Sequence, residues 1–465
     1  MSSRKSALKT SKYRCSECGW VTAKWVGRCG QCQQWGTVTE SGSSKHTVKT
    51  SPAARVDNPA QPIATVDSSP AQYLPTGNSE FDRVLGSGLV PGAVILLAGE
   101  PGVGKSTLLL DIAARFAQTK AKSTNRQVLY LSGEESAAQV KLRAERIGTL
   151  AENLYLSAET DLATALAQLQ EIKPDLLVLD SVQTFASSEV EGSAGGPNQV
   201  REVAAALIAQ AKARNMACIL VGHVTKEGSI AGPRLLEHLV DVVCQFEGDK
   251  HSAVRMLRAV KNRYGPTDEV GCFEMQEAGI KAVTDPSGLF ISPTAHPVAG
   301  TCLTVTMEGR RPLLAEIQAL LDQASGPQPR RATAGLESNR IAMLLAVLQK
   351  RAGFPVGKLD CYISTVGGAK ISEPAADLAA VIALASAAQD KPLTRKLAVF
   401  GEVGLAGEVR TVPGIKQRIA EVARLGFTHA LVPASPQGPG KTPANITVRE
   451  VTSINDALAI LFPQG

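Results

Sequence analysis

No stretch of this 465-residue chain is both long and apolar enough to suggest a membrane span. The most apolar helical segment, Ala375 to Ala388, falls short of the roughly 18 residues a crossing needs and carries Asp377, so it reads as a buried core helix. The N-terminus, Met1-Ser2-Ser3-Arg4-Lys5, lacks the apolar segment of a secretory signal, which argues against export and for a cytoplasmic protein. A disulfide framework is not expected in that compartment, so the nine cysteines need another use. Five of them, Cys218, Cys244, Cys272, Cys302 and Cys361, are scattered through mostly apolar surroundings and read as core residues. Strong charge is also missing from most of the chain. Of a net charge of +6, the first 60 residues alone hold +7, leaving the remainder close to neutral. A basic leading segment suits a polyanion and is equally the mark of a solvated tail. With 44% hydrophobic residues, the length exceeds what one core organises and implies two large domains with smaller pieces.

The chain does contain Gly99-Glu100-Pro101-Gly102-Val103-Gly104-Lys105-Ser106-Thr107, which satisfies the spacing G-x-x-x-x-G-K-[ST]. A strand-length apolar run, residues 93–98, precedes it, and residues 107–116 have helix-forming composition. In that setting the glycines let backbone N–H groups turn inward around phosphates. Lys105 neutralises their charge, and the Ser106 hydroxyl can ligate Mg²⁺. ATP and Mg are therefore expected. Two acidic strand ends follow. The strand at 127–131 leads to Glu134, a candidate for orienting or deprotonating an attacking water, and to Glu135, which better fits the first turn of the next helix. The strand at 175–180 ends in Asp180, expected to hold Mg²⁺ beside Ser106. A third strand, 217–223, ends in His223, either a sensor of the terminal phosphate or a hydrogen-bonded structural histidine. Two polar loops are read as flexible: 187–196 around Gly195 is Gly-rich and precedes a helix, and 225–234, with Lys226 and Arg234, stands where a nucleic acid could be met. A hairpin over 242–260, turning at 248–251, runs into Lys261-Asn262-Arg263-Tyr264-Gly265. Its two cations either grip a phosphate or form a solvated strand end.

Near the N-terminus, Cys15-x₂-Cys18 and Cys29-x₂-Cys32 make two knuckles, the spacing of a closed Cys₄ site for structural zinc. Binding the metal would supply folding free energy on the order of 10 kcal/mol to a segment too small to fold alone. Trp20, Trp25 and Trp35 are expected to pack around the knuckles, the alternative role being to stack on bases. These readings divide the chain into a zinc module at 10–36, a flexible linker at 37–70, an ATPase domain at 71–285, a junction at 286–335 and a second α/β domain at 336–465.

Taken together, the four-cysteine module, the phosphate loop, Leu131 to Ser136, Val221 to Gly228 and Lys261 to Gly265 resemble the RadA (Sms) family of bacterial DNA-repair ATPases. These are related to RecA and to the hexameric helicase DnaB. Tyr264 stands where the family signature usually has Phe. The resemblance implies an α/β fold with a RecA-like core and a C-terminal domain similar to Lon protease. It further implies a homohexameric ring around single-stranded DNA with ATP between subunits, and a branch-migration activity on recombination intermediates. Lys261 and Arg263 would then reach a neighbour's nucleotide, and the loops at Gly195 and Lys226 would line the DNA channel. A recombinase or another repair protein is the expected partner of the zinc module. In the Lon-like domain Ala375 occupies the place of the nucleophilic serine while Lys416 matches the catalytic lysine. Since a lysine without its nucleophile forms no acyl-enzyme, a scaffold is expected rather than a peptidase, with Ser372 nearby as the reason to test it. The competing functions are an ATP-dependent peptidase and an ATP-switched DNA-binding adaptor without motor activity.

Overall fold

The computed structural model describes residues 13–40, 60–65, 72–121, 124–223, 233–248, 253–292, 296–324, 326, 328–436 and 438–463. The chain divides into two units, Met1–Asp67 and Ser68–Gly465. In the first, β1 (Tyr13–Cys15) lies between β2 (Val21–Thr22) and β3 (Val38–Glu40) in an antiparallel sheet. The module thus runs to Glu40, past the boundary read at 36, because β3 pairs Val38 with Cys15. Trp20, Tyr13, Val26 and Cys32 pack against Cys15, Cys29 and Val38. Trp25 and Trp35 do not join them: they are 64% and 73% exposed, against the expectation that all three tryptophans pack inside.

The second unit opens with α1 (Ser79–Leu85), started by the Asn78 side chain accepting from Phe81 N–H and stopped by left-handed Gly86. Next come β4 (Val94–Gly99), α2 (Lys105–Gln118), β5 (Val128–Ser132), α3 (Ala137–Arg146), β6 (Leu154–Ala158), α4 (Leu162–Ile172) and β7 (Leu176–Asp180). Then follow α5 (Pro197–Arg214), β8 (Ala217–His223), α6 (Pro233–Glu237), β9 (Val242–Glu247), β10 (Val254–Asn262), β11 (Val270–Gln276) and β12 (Gly279–Ala282). Nine strands form one sheet in the order β12-β11-β10-β9-β4-β8-β7-β5-β6. The six from β9 to β6 are parallel, and β10 to β12 are antiparallel additions. The central parallel strands β4, β5, β7 and β8 are buried along nearly their whole length and mostly apolar because both faces are covered. Ile95 and Leu97 pack with Leu108, Ile112 and Phe116 of α2, while Val94 and Leu96 face Leu207 and Val203 of α5.

A second sheet holds β13 (Thr301–Glu308), β14 (Arg311–Gln323), β15 (Arg331–Ala334), β16 (Leu359–Thr365), β17 (Leu397–Val399), β18 (His429–Pro433) and β19 (Thr447–Val451), in the order β15-β16-β14-β13-β17-β18-β19. Helices α7 (Ser338–Ala352), α8 (Asp377–Gln389) and α10 (Ile454–Leu461) share one core with it, and α9 (Ile415–Arg424) belongs to a second. Residues 286–335, read as a junction, therefore contain the two central strands of this sheet. Their alternating apolar residues were masked by the charged turn Glu308-Gly309-Arg310-Arg311, where Gly309 has φ +62°. That turn also ties the two sheets. Arg311 donates to Glu80 of α1 and to Val270 O and Thr284 O, and Glu308 pairs with Arg258 at 2.7 Å.

Candidate functional site

The register of the parallel strands assembles the site. His223 lies beside Gly99 across β8 and β4, and Asp180 beside Ser132 across β7 and β5, so four strand ends open on one edge of the sheet. Gly133 N–H donates to Asp180 O at 2.7 Å, which holds the turn bearing Glu134 against β7. The phosphate loop crosses this edge. Gly104 takes φ +105° as α2 begins, a left-handed conformation open to glycine, and a Cβ there would meet Met275 Sδ of β11 at 3.1 Å. Arg255 of β10 braces the loop by donating to Val103 O at 3.1 Å.

Lys105 is only 4% exposed. Its Nζ donates to Gly99 O at 2.8 Å and Glu100 O at 2.9 Å, and lies 3.2 Å from His223 Nδ1. Burial lowers its pKa, partly offset by the charges of Asp180 and Glu134. Because the ammonium can only donate, His223 Nδ1 accepts, and the ring proton on Nε2 points to Glu134 Oε1 at 2.8 Å. The Ser181 hydroxyl donates to the same oxygen at 2.6 Å. Burial pushes the Glu134 pKa up, but the hydrogen bonds from Ser181 and His223 and the charge of Lys105 outweigh it, leaving the carboxyl below the ordinary glutamate value. Glu134 is thus held ionised by one oxygen.

Asp180 Oδ2 accepts from Tyr130 OH at 2.7 Å. Burial drives the Tyr130 pKa well up, so the phenol remains a donor and orients the carboxylate. The second Asp180 oxygen and the hydroxyl of Ser106, which no described protein group engages, are hard oxygen donors of the kind Mg²⁺ takes, so this pair fits that ion. Glu135 is used differently: it pairs with Arg143 of α3, whose N-terminus is closed by a Ser136–Gln139 capping box.

Lys261 and Arg263 lie elsewhere. Lys261 pairs with Val243, which itself pairs with Leu96 near the start of β4, so these cations occupy the sheet edge opposite the phosphate loop. The three residue steps along β4 from Leu96 to Gly99 span roughly 10 Å. Lys261 Nζ donates to Glu237 O and Val240 O, both at 2.7 Å, beyond α6. Arg263 is mostly exposed and sits 3.5 Å from Asp241. Asn262 locks the turn between them, accepting from Tyr264 N–H and Gly265 N–H at 3.0 Å and donating to Leu85 O at 3.2 Å.

Gly195 has φ +79° in a loop on the same edge as the phosphate loop. The loop is tied down by buried Gln199, which accepts from Ser187 N–H and donates to Ser187 O, Val190 O and Gly192 O. Lys226 and the side chain of Arg234 lie outside the described residues. Sequence reasoning missed Ser181, Tyr130, Arg255 and Gln199, all of which act through tertiary contacts that no spacing records.

In the second sheet Ala375 is buried and Ser372 exposed. Lys416 lies against Gly440, where a Cβ would meet its Cε at 2.7 Å. Two residues before Ala375, Glu373 takes both arms of the buried Arg418 guanidinium at 2.8 Å. Arg418 also donates to Val305 O and Pro413 O and stacks 5.8 Å over Phe400. Asp377 is closed in the same way by Arg340 and Val403 N–H.

In the smaller unit the sulfurs of Cys15, Cys18, Cys29 and Cys32 lie within 4.8 Å of one another, with Cys15–Cys32 at 3.7 Å and Cys18–Cys29 at 3.5 Å. Sulfurs at tetrahedral corners about 2.3 Å from zinc are separated by about 3.8 Å, so the donor set fits the metal.

Family comparison matches three parts of the chain. Residues 13–40 match a rubredoxin metal binding domain, 70–229 an AAA domain, and 357–462 the C-terminal proteolytic domain of Lon protease. The chain is 54% identical to the DNA repair protein RadA of Mycobacterium tuberculosis over 441 residues, covering 92% of this chain and 90% of that one. It is 51% identical to the protein of that name from Mycolicibacterium smegmatis, covering 97% and 96%. To the one from Streptococcus pyogenes it is 44% identical, covering 98% and 100%.

Proposed function

The chain belongs to the RadA family of DNA repair proteins, and from that premise we propose that it is a DNA-dependent ATPase that drives branch migration as a homohexameric ring. The observation that carries this reading is the separation of the two halves of the site. Lys105, Glu134, Asp180 and His223 converge on one edge of the sheet, and Lys261 and Arg263 stand on the other. Cations on the far edge can serve a phosphate only if a second subunit presents it, which a head-to-tail ring does.

In this mechanism ATP draws Lys105 Nζ from the carbonyls of Gly99 and Glu100 toward its phosphates, aided by the backbone N–H groups from Glu100 to Thr107. Mg²⁺, held by Ser106 and Asp180, would neutralise phosphate charge. Glu134, ionised and oriented by Ser181 and His223, takes the proton of the attacking water through its other oxygen. His223 loses its Lys105 partner when nucleotide arrives, and so reports occupancy to the loop that follows it, where Lys226 and Arg234 would face single-stranded or branched DNA together with the loop at Gly195. The Lon-like domain serves as an assembly and DNA-binding scaffold. A recombinase or another repair protein is the protein partner expected, through the zinc module, in the cytoplasm.

A labelled three-strand branch-migration assay tests the proposal. Wild-type protein should extend heteroduplex only with ATP, and single-stranded DNA should stimulate hydrolysis. Lys261→Ala should abolish migration; a Lys261→Ala protein that migrates branches normally removes the role given to the far edge.

A further inference from the structure

All three tryptophans of the chain lie in the zinc module, and only Trp20 is used to build it. The Trp20 ring comes so close to Gly30 that a Cβ there would sit 2.8 Å away. Trp25 and Trp35 face water, the opposite of what a small core short of apolar surface should do with its largest side chains. They are neighbours: a point one carbon out from Gly27 lies 3.7 Å from the Trp25 ring and 3.8 Å from that of Trp35. Arg28 lies over the Trp35 ring at 5.7 Å and is tethered there by donating to Gln33 O at 2.8 Å and Gln33 Oε1 at 2.9 Å. From Cys18 to Thr39 there is no acidic residue, while Arg28 lies over Trp35 and Lys24 directly precedes Trp25 in the chain.

We propose that Trp25 and Trp35 form a base-stacking platform for single-stranded nucleic acid, with Arg28 and Lys24 meeting its phosphates. A single strand is a polyanion that presents flat apolar faces, and these two properties match an acid-free surface carrying two open rings and two cations. A duplex hides those faces within its stack and satisfies only the charge. A zinc tetrathiolate would carry a formal charge of −2, with Cys15 and Cys29 buried and Cys18 exposed, and Lys24 and Arg28 together offset it. The salt dependence of this contact should accordingly be shallow, equivalent to about one or two phosphates, with stacking supplying the rest. The platform does not depend on the ATPase mechanism above.

Because no tryptophan lies outside the module, tryptophan fluorescence of the full-length, zinc-loaded protein, excited selectively over tyrosine, reports on this module, and the part beyond Trp20 on this surface. Titration with oligothymidylate in the absence of ATP should quench it saturably, and a duplex of equal length should quench it little. Trp25→Ala/Trp35→Ala should keep its zinc and the Trp20 emission, lose the quench, and bind labelled oligothymidylate about tenfold or more weakly. Lys24→Ala/Arg28→Ala should keep the quench and reduce the salt slope by one to two. The proposal is overturned if oligothymidylate leaves wild-type fluorescence unchanged, or if the double tryptophan variant binds as wild type does. A response to a purified recombinase and not to oligothymidylate also overturns it, and assigns the surface to a protein.

Discussion

Each sheet of the larger unit holds a constellation of charged side chains, and the two are built on opposite plans. On the ATPase edge, Lys105, His223, Glu134 and Ser181 form an open chain. Glu134 keeps one oxygen uncommitted and its side chain is 42% exposed. In the Lon-like domain, Arg418 closes on Glu373 and Arg340 on Asp377. In the Arg418 fork, both carboxylate oxygens and three guanidinium nitrogens are spent on protein partners. The difference separates chemistry from architecture. Charges left with free valences at a strand edge can accept a substrate, whereas charges closed on each other have their desolvation cost offset internally and nothing left to offer.

The largest effect that could break this contrast is at Glu134. Glu134→Gln should lower kcat for ATP by about 10²- to 10⁴-fold while nucleotide still binds, read by single-turnover hydrolysis and a fluorescent nucleotide. Wild-type turnover in that variant would mean that the open cluster is no more chemical than the closed one. The matching experiment on the closed side is Arg418→Ala. Removing one partner of a buried ion pair leaves the other unpaired, so stability should fall by about 3–5 kcal/mol, seen in the urea midpoint of the Lon-like domain. Arg418→Met/Glu373→Leu, which removes both charges, should recover most of that loss. If it does not, the pair has a role beyond structure.

A subtler test sharpens the open side. Ser181→Ala removes one of two donors on Glu134 Oε1 and should reduce kcat by roughly tenfold or more with little change in KM, as expected for a hydrogen bond to a charged group worth about 1.5–3 kcal/mol. The sign of the pH effect follows from the same contact. Ser181 favours the carboxylate and lowers the Glu134 pKa, so its loss raises that pKa, and the acid limb of the kcat profile should move to higher pH. Ser181→Thr, which keeps the hydroxyl, should restore the limb. An unmoved limb in Ser181→Ala would reduce Ser181 to a structural residue.

These residues also mark what could be read without coordinates. The phosphate loop is legible because its chemistry depends on local spacing, and the strand ends at Asp180 and His223 because buried parallel strands are continuous apolar runs that stop at the ligand edge. Ser181 and Tyr130 were not legible, since each reaches its partner through the parallel register and the turn after β7, 47 and 50 residues away in sequence. Arg418 did leave a signal: it stands three residues after Ile415 and four before Val422 on an otherwise apolar stripe, where a charge has to be paired. The β13–β14 hairpin was obscured by its charged turn. Composition favours core packing for Trp25 and Trp35 over stacking on bases, and carries no signal of their exposure, because a large apolar ring suits a core and an open surface equally.

The smallest expected effect is the one that separates the two regions by function. Lys416 is the one residue of the closed region that matches a peptidase lysine, and its neighbour is the Gly440 backbone. Ala375, in the place of the nucleophile, is buried with its carbonyl bonded to Gly401 N–H at 2.7 Å, and has no atom that could attack a peptide. Ser372 is exposed, and the only ionised partners described on its segment are engaged in the Glu373–Arg418 and Asp377–Arg340 pairs. Casein should therefore stay uncleaved by the wild type and by Lys416→Ala and Ser372→Ala alike, and both variants should keep ATP turnover within about twofold. Casein cleavage that disappears in either variant would turn the closed region into a second catalytic site, and its ion pairs into the frame of an active centre.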